Sequence, residues 1–258
     1  MKEFFGIGGY QRQAEGYFSW QHLTAVTVYM IIMVAFAIYF GKKYRNTDLN
    51  SKNKVLLWAA ILIDGFELIK IVLGCVQSNN ALDWLYNLPL FLCSIQLITI
   101  PLAALSKGRV KEAALDFVFI FGLLGAVLGT YLAGNNYSVY PVLSFPNVVS
   151  GITHSISGFS ALFIVISGMQ SMKKKNIPIT FAILLGFGIS AYVANVVLDY
   201  NYMFLMRGDG TPYDIAYNLV NGNQVLYPLI VVALFIVYIA AYYFVCYLLT
   251  KRKGKNTV

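Results

Sequence analysis

Residues 87–105 read NLPLFLCSIQLITIPLAAL, and this stretch places the chain in its structural class. The apolar run is long enough to cross the roughly 30 Å hydrocarbon core of a bilayer as a helix. Pro89 is compatible with a first helical turn, because its missing N–H would have no partner there. Four polar side chains interrupt the run, namely Asn87, Cys93, Ser94 and Gln96. Polar groups at membrane depth are costly, so their presence favours a functional site here.

The composition excludes an ordinary soluble globular domain. Of the 258 residues, 59% are hydrophobic and 12% are charged, with a mean hydropathy of +0.67. The chain has 19 Lys and Arg against 11 acids. These basic residues form short clusters between apolar segments, which is typical of an integral membrane protein, and no nucleic-acid partner is expected. The three cysteines are too scattered for a zinc site or a disulfide framework, and no metal or cofactor is expected.

Hydropathy predicts seven transmembrane helices. Their approximate bounds are 22–40, 55–76, 86–105, 113–132, 151–172, 178–198 and 227–249. The first 19 residues lack the basic and apolar regions of a cleaved signal peptide. The chain therefore divides into an extracytoplasmic segment 1–19, a seven-helix transmembrane domain 20–250 and a basic cytoplasmic tail 251–258.

The distribution of basic residues predicts the orientation of the bundle. Fifteen of the 19 Lys and Arg lie in four segments, 41–54, 106–112, 173–177 and 250–258. The segments on the opposite side hold only Lys2, Arg12 and Arg207. Because Lys and Arg accumulate in cytoplasmic loops, the N-terminus is predicted outside and the C-terminus in the cytoplasm. The expected fold is an all-α, seven-helix membrane bundle.

Charged residues inside the second predicted helix suggest either packing or binding. Asp64, Glu67 and Lys70 are three residues apart, so they share one helical stripe and can pair. One interpretation is an ion pair that fixes contacts between helices. The other is an electrostatic wall of a substrate site, because charges within a membrane usually face the bundle interior or a cavity.

The predicted topology brings several polar residues to a similar depth in the outer half of the bundle. At 1.5 Å per residue, Lys70, Cys93, His154 and Asn195 are expected to line one cavity there. Asn87, Gln96, Asp199 and Asn201 are further candidates for substrate binding, together with Asp64 and Glu67. The inner half is expected to be almost wholly apolar.

Cys93 and His154 are the candidates for catalysis. A lone buried cysteine is often a small hydrophobic residue, whereas a nucleophilic one needs an electropositive neighbour such as Lys70 or His154. His154 is the only histidine well inside a predicted span, which makes it the natural general base. Cys75 and Cys246 are expected to be structural. Three glycines of the fourth span are expected to make close helix contacts, namely Gly122, Gly125 and Gly129.

Three sequence elements together resemble a known family. They are LPLFLC at 88–93, His154 on a later helix, and NYMFL at 201–205. They are similar to the YwaF-like bacterial membrane proteins, which resemble the eukaryotic transmembrane acyltransferase that remodels ether phospholipids. The resemblance covers about residues 20–250 and implies acyl transfer by a Cys/His pair, here Cys93 and His154, in a multi-pass protein of the bacterial plasma membrane. The chain departs from the family at Phe91, where many members have histidine.

Three functions are consistent with these features. The first is a lipid-directed acyltransferase or acyl hydrolase in which Cys93 attacks an ester, His154 moves the proton, and Lys70 or Asn87 stabilises the oxyanion. The second is a transporter or binding protein for a small molecule or lipid that uses the Asp64, Glu67 and Lys70 stripe. The third is a membrane scaffold or receptor. A membrane lipid or lipid-linked molecule is the expected partner, and the sequence does not determine the oligomeric state.

Overall fold

A computed structural model describes residues 2–255, apart from the side chains of residue 135 and of residues 249–255. Within this range the chain is helical and contains no strand. Seven main helices follow in order: α1 (Trp20–Tyr44), α2 (Leu49–Ser78), α3 (Gln96–Leu105), α4 (Gly108–Tyr131), α5 (Phe145–Ile166), α6 (Ile177–Leu198) and α7 (Leu226–Lys255). Shorter helical segments lie at Lys2–Phe5, Ala81–Asn87, Gly134–Val139, Lys174–Asn176, Tyr202–Phe204 and Asp214–Leu219.

Local sequence explains where α1 and α2 begin. Ser19 precedes α1, and its side chain accepts a hydrogen bond from the backbone N–H of His22. Asp48 precedes α2, and its carboxylate accepts from the backbone N–H of Ser51 at 3.2 Å. Both side chains satisfy a backbone donor that has no partner within its helix. The hydrogen bonds from Ser51 also hold the pKa of the Asp48 carboxyl below its ordinary value.

The protein is a multi-pass integral membrane protein by the length and composition of its helices. Among the described residues, five helices are long and apolar enough to cross a bilayer, namely α1, α4, α5, α6 and α7. Helix α2 has the length of a span but carries Asp64, Glu67 and Lys70. Helix α3 has only ten residues. The count of seven spans therefore stays a prediction.

The predicted third helix is wrong over its first half. The chain forms a 3₁₀ segment at Ala81–Asn87 and then irregular backbone over residues 88–95, so Pro89 does not lie in a first helical turn. Irregular backbone is tolerated at membrane depth where it is buried in protein or lines a cavity. Side chains satisfy its polar groups: the Tyr202 hydroxyl accepts from Leu88 N at 3.2 Å, and Ser94 Oγ accepts from Phe91 N at 3.0 Å.

The fifth helix is displaced from its predicted position of 151–172. It runs from Phe145 to Ile166 and has a proline in its first turn, where that residue costs no hydrogen bond. The displacement matters because it places His154 about two and a half turns inside the helix rather than near its end. His154 is therefore held by regular backbone on both sides.

Helix α5 lies at the centre of the bundle and packs against α1, α2 and α4. A methyl group added at Gly122 of α4 would lie 2.9 Å from the carbonyl oxygen of Ser157 of α5. The predicted close helix contact at Gly122 is therefore present. The next residue of α5, Gly158, admits both the Met33 side chain of α1 and Ala126 of α4, which would lie 2.3 Å and 2.7 Å from an added methyl group.

A buried carboxylate contradicts the expectation of an apolar inner half. Asp116 of α4 is fully buried and accepts hydrogen bonds from four residues: Ser171, Met172, Asn176 and Tyr243. These partners join α4, the α5–α6 connection and α7. A charged residue within a predicted span is the signal that should have drawn attention to this position.

The two ends of the bundle differ in charge. At one end, Lys52 donates to the carbonyl oxygen of Ser167 at 2.8 Å, and Lys173 pairs with Glu112 at 2.6 Å. We call this the basic end, because it gathers the connections at 45–48, 106–107 and 167–176. At the opposite end, Glu15 accepts a hydrogen bond from the backbone N–H of Val142 at 2.7 Å. The basic loops thus share one face, as their charge pattern requires.

The orientation is tested with fused reporters. A reporter after Val258 should be active only in the cytoplasm, because the basic end is expected to face inward. A reporter inserted between residues 139 and 144 should be active only outside. Reporters on the same side of the membrane would contradict both the orientation and the seven-span count.

Candidate functional site

A cavity of about 360 Å³ lies between α2, α5, the irregular segment 88–95 and the start of α3, in the half of the bundle away from the basic end. Its polar lining includes Glu67 and Lys70 of α2 and Ser150, Thr153 and His154 of α5. Asn87, at the end of the 3₁₀ segment, and Cys93, in the irregular segment, also line it. The expected convergence therefore holds for Lys70, Cys93 and His154. Apolar side chains of α2, α3 and the irregular segment complete the wall, namely Ile63, Leu88, Phe91 and Leu97.

The hydrogen bond at Nδ1 assigns the tautomer of His154. This nitrogen lies 2.8 Å from the carbonyl oxygen of Ser150, one turn earlier in α5. A carbonyl oxygen only accepts, so Nδ1 carries the ring proton. In the neutral ring the free lone pair is therefore at Nε2, and Nε2 is the basic atom.

The basic nitrogen of His154 is buried beside the cavity that Cys93 also lines. Nε2 has no hydrogen-bond partner in the described part of the chain, so its lone pair is unused by the protein. A thiol and an imidazole that share one cavity are the groups that a cysteine nucleophile and its general base require.

Charges of both signs lie beside the thiol. Lys70 and Glu67 form an ion pair, with Nζ 2.5 Å from Oε1, and both side chains line the cavity. Cys93 lines the same cavity as this pair. Since the ammonium has three donors and the pair uses one, Lys70 retains hydrogen-bonding capacity for a bound molecule.

Two glycines of α4 make the space that the Cys/His pair occupies. A methyl group added at Gly129 would lie 2.2 Å from His154 Nε2, and one added at Gly125 would lie 3.3 Å from Cys93 Cβ. Gly125 and Gly129 are one turn apart, so they form one smooth face beneath the pair. These glycines shape the candidate site, which goes beyond the simple helix contact expected from the sequence.

Aromatic packing holds the segment that carries Cys93. The ring of Phe91 packs against Tyr200, Tyr202 and Phe204, with centroids 5.1–6.3 Å apart. Tyr202 is fully buried, and its hydroxyl donates to the carbonyl oxygen of Leu85. The aromatic residues after α6 therefore fix the backbone on the approach to Cys93.

Two residues that were expected to bind substrate hold the segment that follows α6 instead. Asn195 is buried, donates to the carbonyl oxygen of Tyr202 at 3.0 Å and accepts from its N–H. Asn201 holds the following loop by donating to Arg207 O at 2.7 Å and to Asp209 at 2.8 Å. Neither side chain lines the cavity, so both position the loop instead of contacting a substrate.

Three other candidates also lie outside the cavity. Gln96 is buried and accepts from Thr99 Oγ1 at 3.1 Å, at the start of α3. Asp199 ends α6 in a left-handed conformation and is exposed. Asp64 lies on α2 next to the cavity residue Ile63, but its own side chain does not contribute to the wall. The charged stripe of α2 is thus divided, with only Glu67 and Lys70 in the site.

Sequence reasoning missed several polar residues of the wall. Ser150 and Thr153 precede His154 on the same face of α5, so spacing by three and four residues should have identified them. Tyr86, Asn136 and Tyr200 come from three separate connecting segments, and no pattern in the sequence links them. Among the described residues, no cluster of three His, Cys, Asp or Glu has the geometry to hold a metal ion.

Comparison with known proteins identifies a family. The model of the TMEM164 family matches residues 17–246. This range includes every residue that lines the cavity and most of each main helix. No curated protein and no solved structure matches the chain.

Proposed function

The chain belongs to the TMEM164 family, and on that premise we propose that it is a membrane-embedded enzyme that transfers acyl groups of lipids through Cys93. The observation that carries the proposal is that Cys93 and His154 line one cavity, with Nδ1 of His154 bonded to Ser150 and Nε2 left without a partner. A cysteine and histidine in contact activate the thiol as a nucleophile, because the imidazole accepts its proton. The resemblance to YwaF-like proteins and to the acyltransferase that remodels ether phospholipids supports the same reaction.

The first half of the reaction forms a thioester. His154 Nε2 takes the thiol proton while Sγ of Cys93 attacks the carbonyl carbon of a lipid ester. The tetrahedral intermediate then expels the lipid alkoxide as its C–O bond breaks. His154 returns the proton to that alkoxide, so a lysolipid leaves and the acyl group remains on sulfur.

The oxyanion of the intermediate needs nearby donors. Lys70 and Asn87 both line the cavity and fill this role in the proposal. Lys70 keeps two ammonium protons beyond its bond to Glu67. Asn87 donates one amide proton to the carbonyl oxygen of Asp83 at 3.1 Å and keeps the other.

The second half of the reaction transfers the acyl group. An acceptor hydroxyl attacks the thioester carbonyl while His154 takes its proton, and the Cys93 thiolate leaves and is reprotonated. A lysolipid hydroxyl as acceptor gives acyl transfer, and water gives hydrolysis. The substrates enter from the membrane, and by the predicted orientation the site lies in the outer half of a bacterial plasma membrane. No cofactor takes part.

The reactivity of Cys93 tests the nucleophile. We expect a membrane-permeant thiol reagent to label Cys93 much faster than Cys75 or Cys246 at pH 7, because an ordinary thiol with a pKa near 8.5 is mostly protonated there. The measurement compares labelling rates in three variants that each retain a single cysteine. Labelling of Cys93 should slow in His154→Ala and in Lys70→Met, with abundance and thermal stability retained.

Equal labelling of the three cysteines would refute the nucleophile. A covalent acyl adduct then separates an enzyme from a binding protein. Protein incubated with radiolabelled phospholipid should retain a label that hydroxylamine removes and that Cys93→Ala lacks. A reactive Cys93 without an adduct for any phospholipid class would favour the transporter, with the Glu67–Lys70 pair as its binding element.

A further inference from the structure

A second, apolar groove lies on the opposite side of α5 from the catalytic pair. It has a volume of about 700 Å³ and runs between α1 and α2, with Ile152, Ile156 and Phe159 of α5 among the side chains that line it. The groove faces of α1 and α2 include Phe36, Phe40, Trp58 and Leu62. None of the residues of this groove lines the Cys93 cavity, so it is a separate feature.

The shape of the groove follows from how its two walls are joined. Only residues 45–48 separate α1 from α2, so the helices are adjacent at the basic end. Both helices pack on α5, and the groove between them extends from Tyr44 to Tyr29 on α1. At 1.5 Å per residue this is about 22 Å, which is more than half of the roughly 30 Å hydrocarbon core.

Both walls of the groove end in a lysine. On α1, Lys43 lies three residues after Phe40 and shares its face, and its Nζ is 5.8 Å from the ring centroid of Tyr44. On α2, Lys54 lies four residues before Trp58 and shares that face. Two cations therefore flank the apolar groove at the basic end of the bundle.

The basic residues beside the groove have no acidic partner among the described side chains. Lys42, Lys43, Arg45 and Lys54 are exposed and form no ion pair within residues 2–255. The single acid of residues 41–54 is Asp48, whose carboxylate is engaged with Ser51 at the start of α2. An anion from outside the chain is the natural partner of these lysines.

We propose that the groove between α1 and α2 is a binding site for an anionic glycerophospholipid of the leaflet at the basic end. Its phosphate lies between Lys43 and Lys54, and one acyl chain lies along the groove over Ile156 and Phe159. The apolar walls alone would accept any lipid, so the two lysines supply the selectivity for negative charge. The proposal does not depend on the acyl-transfer reaction.

Trp58 provides a reporter within the groove. The chain has three tryptophans, so Trp20→Phe with Trp84→Phe leaves Trp58 as the single emitter. This protein is reconstituted in phosphatidylcholine vesicles that contain a minor fraction of phosphatidylglycerol with brominated acyl chains. We expect the brominated phosphatidylglycerol to quench Trp58 more than the same fraction of brominated phosphatidylcholine does.

The lysines are tested by matched substitutions. Lys43→Gln with Lys54→Gln should lower the apparent affinity for phosphatidylglycerol by about fivefold per lysine. Lys42→Gln with Lys107→Gln removes the same charge from exposed positions off the groove faces and should change little. Quenching by brominated phosphatidylcholine should be equal in both variants, which shows that the groove is intact.

Three outcomes would overturn the site. Equal quenching by the two lipids would mean that the groove has no preference for an anion. Equal loss of affinity in both lysine variants would mean that net charge, not Lys43 and Lys54, attracts the lipid. Absence of quenching by either lipid would mean that no acyl chain enters the groove.

Discussion

Gly129→Ala is expected to reduce acyl transfer almost as strongly as His154→Ala. The added methyl group would lie 2.2 Å from His154 Nε2, a distance at which the ring must move. Since Nδ1 is fixed by the carbonyl oxygen of Ser150, the imidazole turns away from Cys93 and its lone pair no longer reaches the thiol. A positioned general base contributes about 10²–10⁴-fold to the rate, and both variants should lose most of that factor. Turnover of a radiolabelled phospholipid measures the loss.

A double substitution separates this steric mechanism from general damage. In the His154→Ala background, Gly129→Ala should cause no further loss of activity or thermal stability, because the atoms that it strikes are gone. Gly65→Ala is the control for adding a helical methyl group, since nothing lies within 4 Å of that position. Additive losses in the double variant would contradict the proposed contact between α4 and the imidazole.

Asp116→Ala is expected to give the largest loss of stability among single substitutions outside the candidate site. Its carboxylate accepts from Met172 N at 2.8 Å, Tyr243 OH at 2.9 Å and Asn176 Nδ2 at 3.0 Å. Each buried donor left without an acceptor costs about 1–3 kcal/mol, so the free energy of unfolding should fall by about 3 kcal/mol or more. Unfolding of the purified protein in a mixed-micelle titration measures this change.

Glu112 offers a matched control one turn away on α4. It also binds the connection before α6, through Lys173 at 2.6 Å and Lys175 at 3.4 Å. These pairs are exposed to solvent, where ion pairs contribute little, so Glu112→Gln should leave stability nearly unchanged. Asp116→Asn should recover part of the loss, since one oxygen remains to accept. Equal stability of Asp116→Ala and Glu112→Gln would refute the structural role of the buried carboxylate.

The sequence was most informative about the features that the lipid bilayer constrains. Apolar segments of about 20 residues have few structural options in a bilayer, so the positions of α1, α4, α6 and α7 were predicted closely. The placement of Cys93 and His154 in the wall of one cavity was also predictable, because polar residues are rare at that depth and usually face a cavity or the bundle interior.

The sequence was least informative about which neighbours each polar side chain faces. Asn195, Asn201 and Gln96 were expected to bind substrate. Asn195 and Asn201 instead bond backbone carbonyl groups, and Gln96 accepts from the hydroxyl of Thr99. The same polarity serves a binding site or a buried loop, and only the neighbouring segment decides between them. The unwound stretch 88–95 was missed for a related reason, since the backbone N–H at its start donates to Tyr202, more than a hundred residues later.

The amino-acid sequence by itself determined that this protein crosses a membrane, that its basic loops share one face, and that a thiol and an imidazole meet at one depth. These features depend on hydropathy and charge along the chain, which local composition fixes. Only the tertiary structure decided that α3 begins at Gln96, after an irregular segment that carries Cys93. It also decided that Gly129 makes room for His154 and that Asp116 joins α4 to the α5–α6 connection and to α7. Those features depend on which helices are neighbours, and neighbours are set by packing across the whole bundle.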